Sequence, residues 1–273
     1  MSAGTPALAG LRGVVVVGRS LVVHDGVQCA LVETDVGRAL ALLSSGPVPA
    51  GFEGRHSAVQ GGSLFLGPLS AANARALRAR LPWLVARPIG LRGSIGLGDR
   101  LGLATPGHIR ALRAAGAPLA PIFAQQSMRE LARTGSDAQD VVDAATWGAF
   151  EEGWRDAHGA DADHLKTAAD VDRCLAAGFT FFTIDPGDHV QGGADTMAAA
   201  HLEDAVRALP WEHLRDSRRD LVTRYAGRPV ELGDRALRPS QEEVLRAAAK
   251  YGARFVTGAT IPVDGGFSAY SGV

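Results

Sequence analysis

The spacing of hydrophobic and polar residues changes near residue 84. Before that point, short apolar and β-branched runs are bounded by Gly, Pro and Ser, which is typical of strands joined by turns. These runs are GVVVVG, CALVET, ALALLS and SLFLG. The stretch SAANARALRARL (70–81) predicts one helix with Ser70 as its N-cap. Residues 1–84 are therefore predicted to form a small α+β domain.

From about residue 85 the pattern alternates between strands and helices. The predicted strands are WLVARPI (83–89), APIFAQ (120–125), ADADHL (160–165) and FTFFTID (179–185). The predicted helices cover 105–116, 126–134, 137–154 and 168–178, and two more lie near 195–208 and 239–250. This alternation implies parallel strands with crossover helices, and about four such units fit into residues 85–252. Because a closed barrel needs twice that number, we predict an α/β fold: an incomplete (β/α) barrel-like parallel sheet preceded by the small α+β cap domain.

Composition excludes several classes of protein. The 28 basic and 29 acidic residues give a formal net charge of −1, which argues against electrostatic binding to nucleic acid or to a membrane. Two distant cysteines, Cys29 and Cys174, argue against a disulfide framework and against a cysteine-based zinc site. The N-terminal residues lack the pattern of a signal peptide. A cytoplasmic location is expected.

The run HGADADHLKT (158–167) holds the densest group of reactive side chains in the sequence. Lys166 is one of only two lysines in the chain, and a buried lysine, unlike an arginine, can lose its proton. Because side chains alternate along a strand, Asp161 and Asp163 are expected on one side, and His164 and Lys166 on the other. The residue types are compatible with a metal site, a Schiff-base lysine or a solvated turn.

Other polar residues follow predicted strands at their carboxyl ends, where the catalytic groups of (β/α) barrels collect. Gln125 and Ser127 lie at the end of one predicted strand, and Thr183 and Asp185 lie at the end of another, with His189 shortly after. These side chains are candidates for one shared site. Each also has a structural alternative, which is helix capping, a hydrogen bond between strands, an ion pair or a turn.

The alternation predicts how these groups are arranged at the edge of the sheet. His164 and Lys166 are expected to lie beside Thr183 and Asp185. Asp163 can join them only if the strand already turns at that point. We therefore expect a polar corner in which the imidazole and the lysine are the central groups.

The chain resembles the tagaturonate epimerase family over roughly residues 85–250. The resemblance lies in consecutive blocks: GLRGSIGLGDRLGLATPGHIRAL, PIFAQQSMRELARTG, DAATWGAFEEGW, GADADHLKT and GFTFFTIDPGDHV. Enzymes of that family interconvert D-tagaturonate and D-fructuronate in hexuronate catabolism. The resemblance therefore implies an isomerase that acts on a small ketose uronate.

The reaction of that family inverts the carbon β to the ketone, whose C–H bond the carbonyl does not acidify. Retro-aldol cleavage followed by re-formation of the bond is the reasonable route. That route needs a base and an electrophile that holds the enediolate. A divalent metal ion can be this electrophile, and a lysine Schiff base is the covalent alternative.

The resemblance also implies roles for the candidate residues. These are metal binding by Asp163 and His164, catalysis by Lys166 and Asp185, and substrate binding by Arg100, Gln125, Ser127, Thr183 and His189. Lys166 would act as the base or anchor the uronate carboxylate. Arg100 would bind that carboxylate through paired N–H groups, unless it forms an ion pair with Asp99 instead.

Two features depart from the family. Its later acidic motif and its His-Ser-Gly-Ser-Asp motif do not occur in this sequence, which predicts weak metal binding and little or no turnover. Residues 253–273 instead resemble the C-terminus of short-chain dehydrogenases, with a TGxxxxVDGG stretch. However, no tyrosine has a lysine four residues later, and Leu101 stands where a GxGxxG motif needs its third Gly. A non-catalytic fusion remnant and a dehydrogenase therefore stay open as alternatives.

The incomplete barrel carries its own expectation. Half a barrel would leave strand edges uncovered, and uncovered edges pair readily with other chains. The sequence therefore predicts association into homo-oligomers or aggregates.

Overall fold

The computed structural model describes residues 7–185, 190–212, 214–233 and 235–252. The chain divides into two compact units, of which the first ends at Ile184 and the second begins at Asp185. Each unit has its own hydrophobic core. The candidate residues that the structure describes lie in the first unit, except for Asp185.

An antiparallel sheet opens the first unit. Its strands are β1 (Val15–Val16), β2 (Val22–His24), β3 (Val27–Thr34), β4 (Gly37–Ser44), β5 (Arg55–Val59) and β6 (Gly62–Gly67). The strand order is β1-β3-β4-β6-β5, and β2 also pairs with β3. The helix α1 (Ala71–Arg80) follows, and the hydroxyl of Ser70 accepts a hydrogen bond from the Asn73 N–H at its start. The predicted helix and its cap are therefore confirmed.

A parallel sheet completes the first unit. Its strands are β7 (Ser94–Gly98), β8 (Ala120–Ser127), β9 (Gly159–Leu165) and β10 (Phe181–Ile184), and they lie side by side in chain order. The helices between them are α2 (Thr105–Ala115), α3 (Met128–Thr134), α4 (Ala138–Glu151) and α5 (Ala168–Ala177). All neighbouring strands in this sheet are parallel. The α/β prediction is confirmed, whereas the barrel-like curvature stays a prediction.

The first strand of this sheet lies later than the sequence predicted. The segment 83–89 forms the end of a 3-10 turn (Pro82–Leu84) and a loop, so the predicted strand there is wrong. Pro88 lacks the N–H that a paired strand would donate, and the true strand β7 contains Gly96 and Gly98, which weaken the strand pattern in the sequence.

One core joins the antiparallel and parallel sheets. Leu31 and Phe65 from the antiparallel sheet belong to the same buried cluster as Phe123 on β8 and Phe150 on α4. A buried ion pair adds to this connection, because Arg78 of α1 lies 2.7 Å from Asp143 of α4. The predicted division at residue 84 therefore does not coincide with the division at Ile184, because the two segments bury their apolar faces against each other.

The described residues of the second unit form mainly helices. Its elements are α6 (Ala199–Arg207), α7 (Arg218–Tyr225), the hairpin β11 (Val230–Leu232) and β12 (Arg235–Leu237), and α8 (Gln241–Tyr251). Leu202, Val206 and Leu245 form the centre of its core. The dehydrogenase-like segment 253–273 lies outside the described residues. Within the described part of the chain, no helix has the length and hydrophobicity needed to cross a bilayer.

Candidate active site

Three neighbouring strands place polar residues at the carboxyl edge of the parallel sheet. In the register of β8 and β9, Gln125 pairs with Asp161 and Ser127 pairs with Asp163. In the register of β9 and β10, Asp161 pairs with Phe181, so Thr183 lies two residues further along on the same side. Parallel registry thus brings polar groups from three separate stretches of sequence to one face of the sheet.

Asp161 is the centre of this face. Its side chain accepts a hydrogen bond of 2.8 Å from Nε2 of Gln125 on one side and one of 3.1 Å from Oγ1 of Thr183 on the other. The residue is only 3% exposed. Burial raises the pKa of Asp161 to about 6, because a charged carboxylate loses its water there, although the hydrogen bonds from Gln125 and Thr183 favour the charged form.

Gly96 provides the space for the Gln125 amide. A Cβ atom at position 96 would lie 2.7 Å from Oε1 and 2.8 Å from Nε2 of Gln125. These distances are shorter than van der Waals contact, so any side chain at this position would displace the amide. The glycine on β7 and the glutamine on β8 are therefore sterically coupled.

The predicted partner of Thr183 was wrong. Thr183 was expected beside His164 and Lys166, but its hydroxyl donates to Asp161 instead. The physical reason is the register: because Phe181 pairs with Asp161, Thr183 shares the side of Asp161 rather than that of His164. Thr183 and Gln125 are brought together, as predicted, but around a carboxylate that the sequence analysis gave no role.

Asp163 and His164 meet at the end of β9. Nδ1 of His164 lies 2.8 Å from Oδ2 of Asp163, although neighbours in a regular strand face opposite sides. His164 has φ 59°, in the left-handed region that non-glycine residues seldom adopt. The strand therefore turns at this residue, which is the condition under which Asp163 was predicted to join the site.

Ser127 and Arg100 have structural partners. The Ser127 hydroxyl accepts the Glu130 N–H at 3.3 Å and caps α3. Nη1 of Arg100 lies 3.7 Å from Oε1 of Glu130, and the Arg100 side chain is 69% exposed. Asp99, the alternative partner for Arg100, accepts backbone N–H groups of residues 101 and 103–105 and so stabilises the start of α2.

For two of the remaining candidates, the structure gives the position in the chain and the degree of burial. Lys166 directly follows β9 and is exposed, and Asp185 directly follows β10 and is partly buried. His189 lies outside the described residues. Their roles stay predictions.

The Asp163–His164 pair has donors that suit a divalent metal ion, namely one carboxylate and one imidazole. Stable sites use more ligands than two. Among the residues that the structure describes, no group of three or more His, Cys, Asp or Glu side chains is arranged to hold a metal. The donor chemistry of the pair therefore fits, but the described residues do not complete a metal site by themselves.

Asp161 is the functional candidate that sequence reasoning missed. Alternation already placed Asp161 and Asp163 on one side, and the predicted strands put Gln125 and Thr183 at neighbouring strand ends. The missing information was the parallel register, which only the folded sheet provides. A buried strand that carries a carboxylate in its interior was the signal available, since such a group needs a donor partner.

The first unit has the architecture of α/β enzymes, in which the carboxyl ends of parallel strands form the site. The sequence profile of the tagaturonate epimerase family matches residues 20–257. The chain therefore belongs to the tagaturonate epimerase family, which confirms the resemblance. The match begins at residue 20, so the family also includes most of the antiparallel sheet, which the blocks from residue 85 onward did not reveal.

Individual relatives agree with this assignment. The chain is 42% identical over 181 residues to a tagaturonate/fructuronate epimerase of Thermotoga maritima, covering 66% of this chain and 37% of that protein. A glycerol-complexed crystal structure of the fructuronate-tagaturonate epimerase UxaE from Cohnella laeviribosi is similar with a TM-score of 0.76 and 32% identity, covering 88% of this chain and 47% of that one. The native structure of that enzyme has the same TM-score at 31% identity. The chain thus spans less than half the length of these relatives.

Proposed function

We propose that this face of the parallel sheet belongs to the active site of an epimerase that interconverts D-tagaturonate and D-fructuronate. Family membership supports the reaction, and the cluster of Gln125, Asp161 and Thr183 is the observation that supports this location. The cluster presents hydrogen-bonding side chains at the strand ends, where α/β enzymes bind their substrates. The ligand is then a small ketose uronate.

The proposed reaction is retro-aldol cleavage followed by aldol addition. A base removes the proton from the hydroxyl group on the carbon β to the ketone. The bond between the α and β carbons breaks, the β carbon becomes an aldehyde, and the electron pair of the broken bond forms an enediolate on the ketone fragment. The aldehyde then presents its other face, the enediolate attacks it, and the base returns the proton to the new alkoxide. The carbon is inverted without losing its own hydrogen.

The residues of the site have distinct proposed roles. Gln125 and Thr183 bind substrate hydroxyl groups, and Arg100 at the exposed end of the site binds the uronate carboxylate. Lys166 is the proposed base or a second carboxylate anchor, and Asp185 is the second proposed catalytic group. Ser127 is also a proposed substrate contact. Its hydroxyl oxygen already accepts the Glu130 N–H at the start of α3, so fewer of its hydrogen-bonding positions are left for the substrate.

Asp163 and His164 are proposed as two ligands of a divalent metal ion. Such an ion, when bound, would supply Lewis-acid stabilisation of negatively charged oxygens. The short contact between the carboxylate and the imidazole keeps both donors at the turn that ends β9. A hydrogen bond that the Nδ1–H of His164 donates to the Asp163 carboxylate would also orient the imidazole for a metal at its other nitrogen.

The fate of hydrogen tests the proposed reaction. D-Tagaturonate is incubated with the protein in deuterated water, and D-fructuronate is detected by NMR. We expect slow formation of D-fructuronate that carries no deuterium on the inverted carbon, because that carbon keeps its hydrogen in the retro-aldol route. Deuterium at that carbon would contradict the route and would indicate direct deprotonation.

The same experiment separates the alternatives. Binding of D-tagaturonate with no D-fructuronate over a long incubation would favour a non-catalytic role for this chain. The dehydrogenase alternative depends on residues 253–273, which lie outside the described residues, and calorimetric binding of a nicotinamide cofactor would be needed to support it. Absence of binding to either ketose uronate would contradict the proposed function.

A further inference from the structure

We propose that Asp161 is a positioning residue that orients Gln125 and Thr183 so that both present hydrogen-bond acceptors to the hydroxyl groups of a ketose. This proposal deepens the proposed function and rests on it for the identity of the ligand. The hydroxyl subsite, as we call it, consists of Gly96, Gln125, Asp161 and Thr183. Nothing in the sequence pattern distinguishes Asp161 from Asp163, and only the hydrogen bonds of the folded sheet do so.

The hydrogen-bonding capacity of the Asp161 carboxylate determines what its neighbours can offer to a ligand. An ionised carboxylate only accepts hydrogen bonds, so each neighbour must donate to it. Gln125 donates one of its two Nε2 hydrogens to Asp161, which fixes the orientation of the amide and with it the place of its acceptor, Oε1. Thr183 donates its only hydroxyl hydrogen to Asp161, so its oxygen can only accept from a ligand.

The orientation of Gln125 is constrained from a second direction. The amide lies in the space that a side chain at Gly96 would occupy, with both Oε1 and Nε2 within 2.8 Å of that Cβ position. The amide therefore occupies the space that the glycine on β7 leaves open, and it is hydrogen-bonded to the carboxylate on β9. A freely rotating glutamine could exchange the places of its donor and its acceptor, whereas in this one the acceptor Oε1 has a fixed place.

Burial assigns Asp161 to positioning rather than to direct contact with a ligand. The residue is 3% exposed, and two side chains on the neighbouring strands cover its oxygens. Its negative charge and that of Asp163 would repel the carboxylate of a uronate. The hydroxyl subsite should therefore recognise the hydroxyl-bearing chain that neutral and acidic ketoses share, and the uronate carboxylate must bind elsewhere.

The first test observes the orientation of Gln125 directly. Side-chain NH₂ signals are recorded in ¹H–¹⁵N spectra at about pH 8, and the Gln125 signal is identified by its loss in Gln125→Leu. In Asp161→Asn we expect the Gln125 signal to move, because an amide in place of the carboxylate no longer accepts from both neighbours. Gln139 is the matched control, since its Nε2 donates to Asp143 at 2.9 Å outside the subsite. Its signal should stay in place.

The second test measures ligand recognition. D-Tagaturonate and the neutral ketose D-tagatose are titrated into wild type, Asp161→Asn and Gly96→Ala. Both variants should bind each ligand about tenfold more weakly than wild type does, because the two ligands share the hydroxyl groups. Asp143→Asn, which changes the control pair, serves as the reference for a general loss of stability. Provided that Asp143→Asn unfolds cooperatively on heating, it should bind both ligands with the affinity of wild type.

The outcomes distinguish this proposal from the proposed function. An unmoved Gln125 signal in folded Asp161→Asn would overturn the positioning role, whatever the ligand. Loss of D-tagaturonate binding with unchanged D-tagatose binding would overturn the assignment to hydroxyl groups. If wild type binds neither ketose while the Gln125 signal moves as expected, positioning is supported, and the proposed function fails together with the ligand class. If Asp161→Asn does not fold, Gly96→Ala provides the same comparison without removing the charge.

Discussion

Nε2 of Gln125 donates a 2.8 Å hydrogen bond to a carboxylate oxygen of Asp161, and parallel pairing of β8 with β9 sets the two residues side by side. On the other side of β9, the Thr183 hydroxyl on β10 donates to the same carboxylate. The carboxylate is buried, and both of these hydrogen bonds come from candidate substrate-binding residues. Predictions follow for Thr183 and for other residues of the first unit.

Removing the Thr183 hydroxyl should weaken ketose binding and stability together. Thr183→Val keeps the shape of the side chain but leaves buried Asp161 without one donor, so we expect a loss of about 1–3 kcal/mol in the free energy of unfolding. Calorimetric titration with D-tagaturonate should show several-fold weaker binding. Thr180→Val is the control, because Thr180 interacts with the backbone of Ala160 instead. Equal effects of both substitutions on affinity would contradict a specific role for Thr183.

Substitution of Asp163 or His164 should reduce binding of divalent metal ions. Wild type is expected to bind Mn²⁺ weakly, and Asp163→Ala and His164→Ala should each remove most of that binding in a calorimetric or EPR titration. His24 and Asp25 form a similar adjacent pair, at 3.3 Å and with a positive φ at Asp25, far away in sequence. His24→Ala is therefore the control. Metal binding that survives both substitutions at the end of β9 would place the metal elsewhere.

Arg100 should matter for acidic ketoses only. Arg100→Ala removes a cation that could pair with the uronate carboxylate, so D-tagaturonate should bind about tenfold more weakly, and D-tagatose should bind as before. Arg110 is a comparable exposed arginine paired with the buried carboxylate of Glu152. Arg110→Ala should leave both affinities unchanged. Parallel losses for the acidic and the neutral ligand in Arg100→Ala would argue against a carboxylate contact.

His158 should make stability depend on pH. It is buried against Phe123, and burial lowers the pKa of His158 from its ordinary value of 6.5 to about 4. Between these two values the unfolded chain binds a proton that the folded protein does not, so stability falls as the pH decreases from 6.5 towards 4, by up to about 3 kcal/mol.

The measurement compares wild type with His158→Asn by chemical denaturation at several pH values. The advantage of wild type over the variant should shrink as the pH falls through this range. Asp161 has a raised pKa and therefore acts in the opposite direction below about pH 6, so the difference between the two proteins is the informative quantity. A constant difference between wild type and His158→Asn would contradict the account.

Much of the fold could be predicted from the sequence because its signals are local. The Ser70 cap, the strand before Ser127 and the strand through Asp161 each follow from nearby residues. The strand at Gly96 could not be located, because Gly96 and Gly98 carry no strand pattern of their own, and the space that Gly96 leaves for the Gln125 amide is visible only in the folded sheet.

The positions of the candidate residues on the strands were predicted better than the contacts between them. Gln125 and Thr183 were placed at strand ends correctly, but their meeting at Asp161 depends on the register between strands. The contact of Asp163 with His164 accompanies a positive φ at His164, which residue type alone does not locate in a sequence. Long-range registry and local backbone strain are properties of the folded sheet, and a single sequence pattern does not contain them.

Titration of wild type with D-tagaturonate, followed through the side-chain NH₂ signals of its glutamines, tests the central claim most directly. The claim is that the face formed by Gln125, Asp161 and Thr183 binds the hydroxyl groups of a ketose uronate. The Gln125 signal should shift and saturate with the ligand, while the signal of Gln139, which pairs with Asp143 elsewhere, should stay fixed. A Gln125 signal that does not respond while the protein binds D-tagaturonate would contradict the claim.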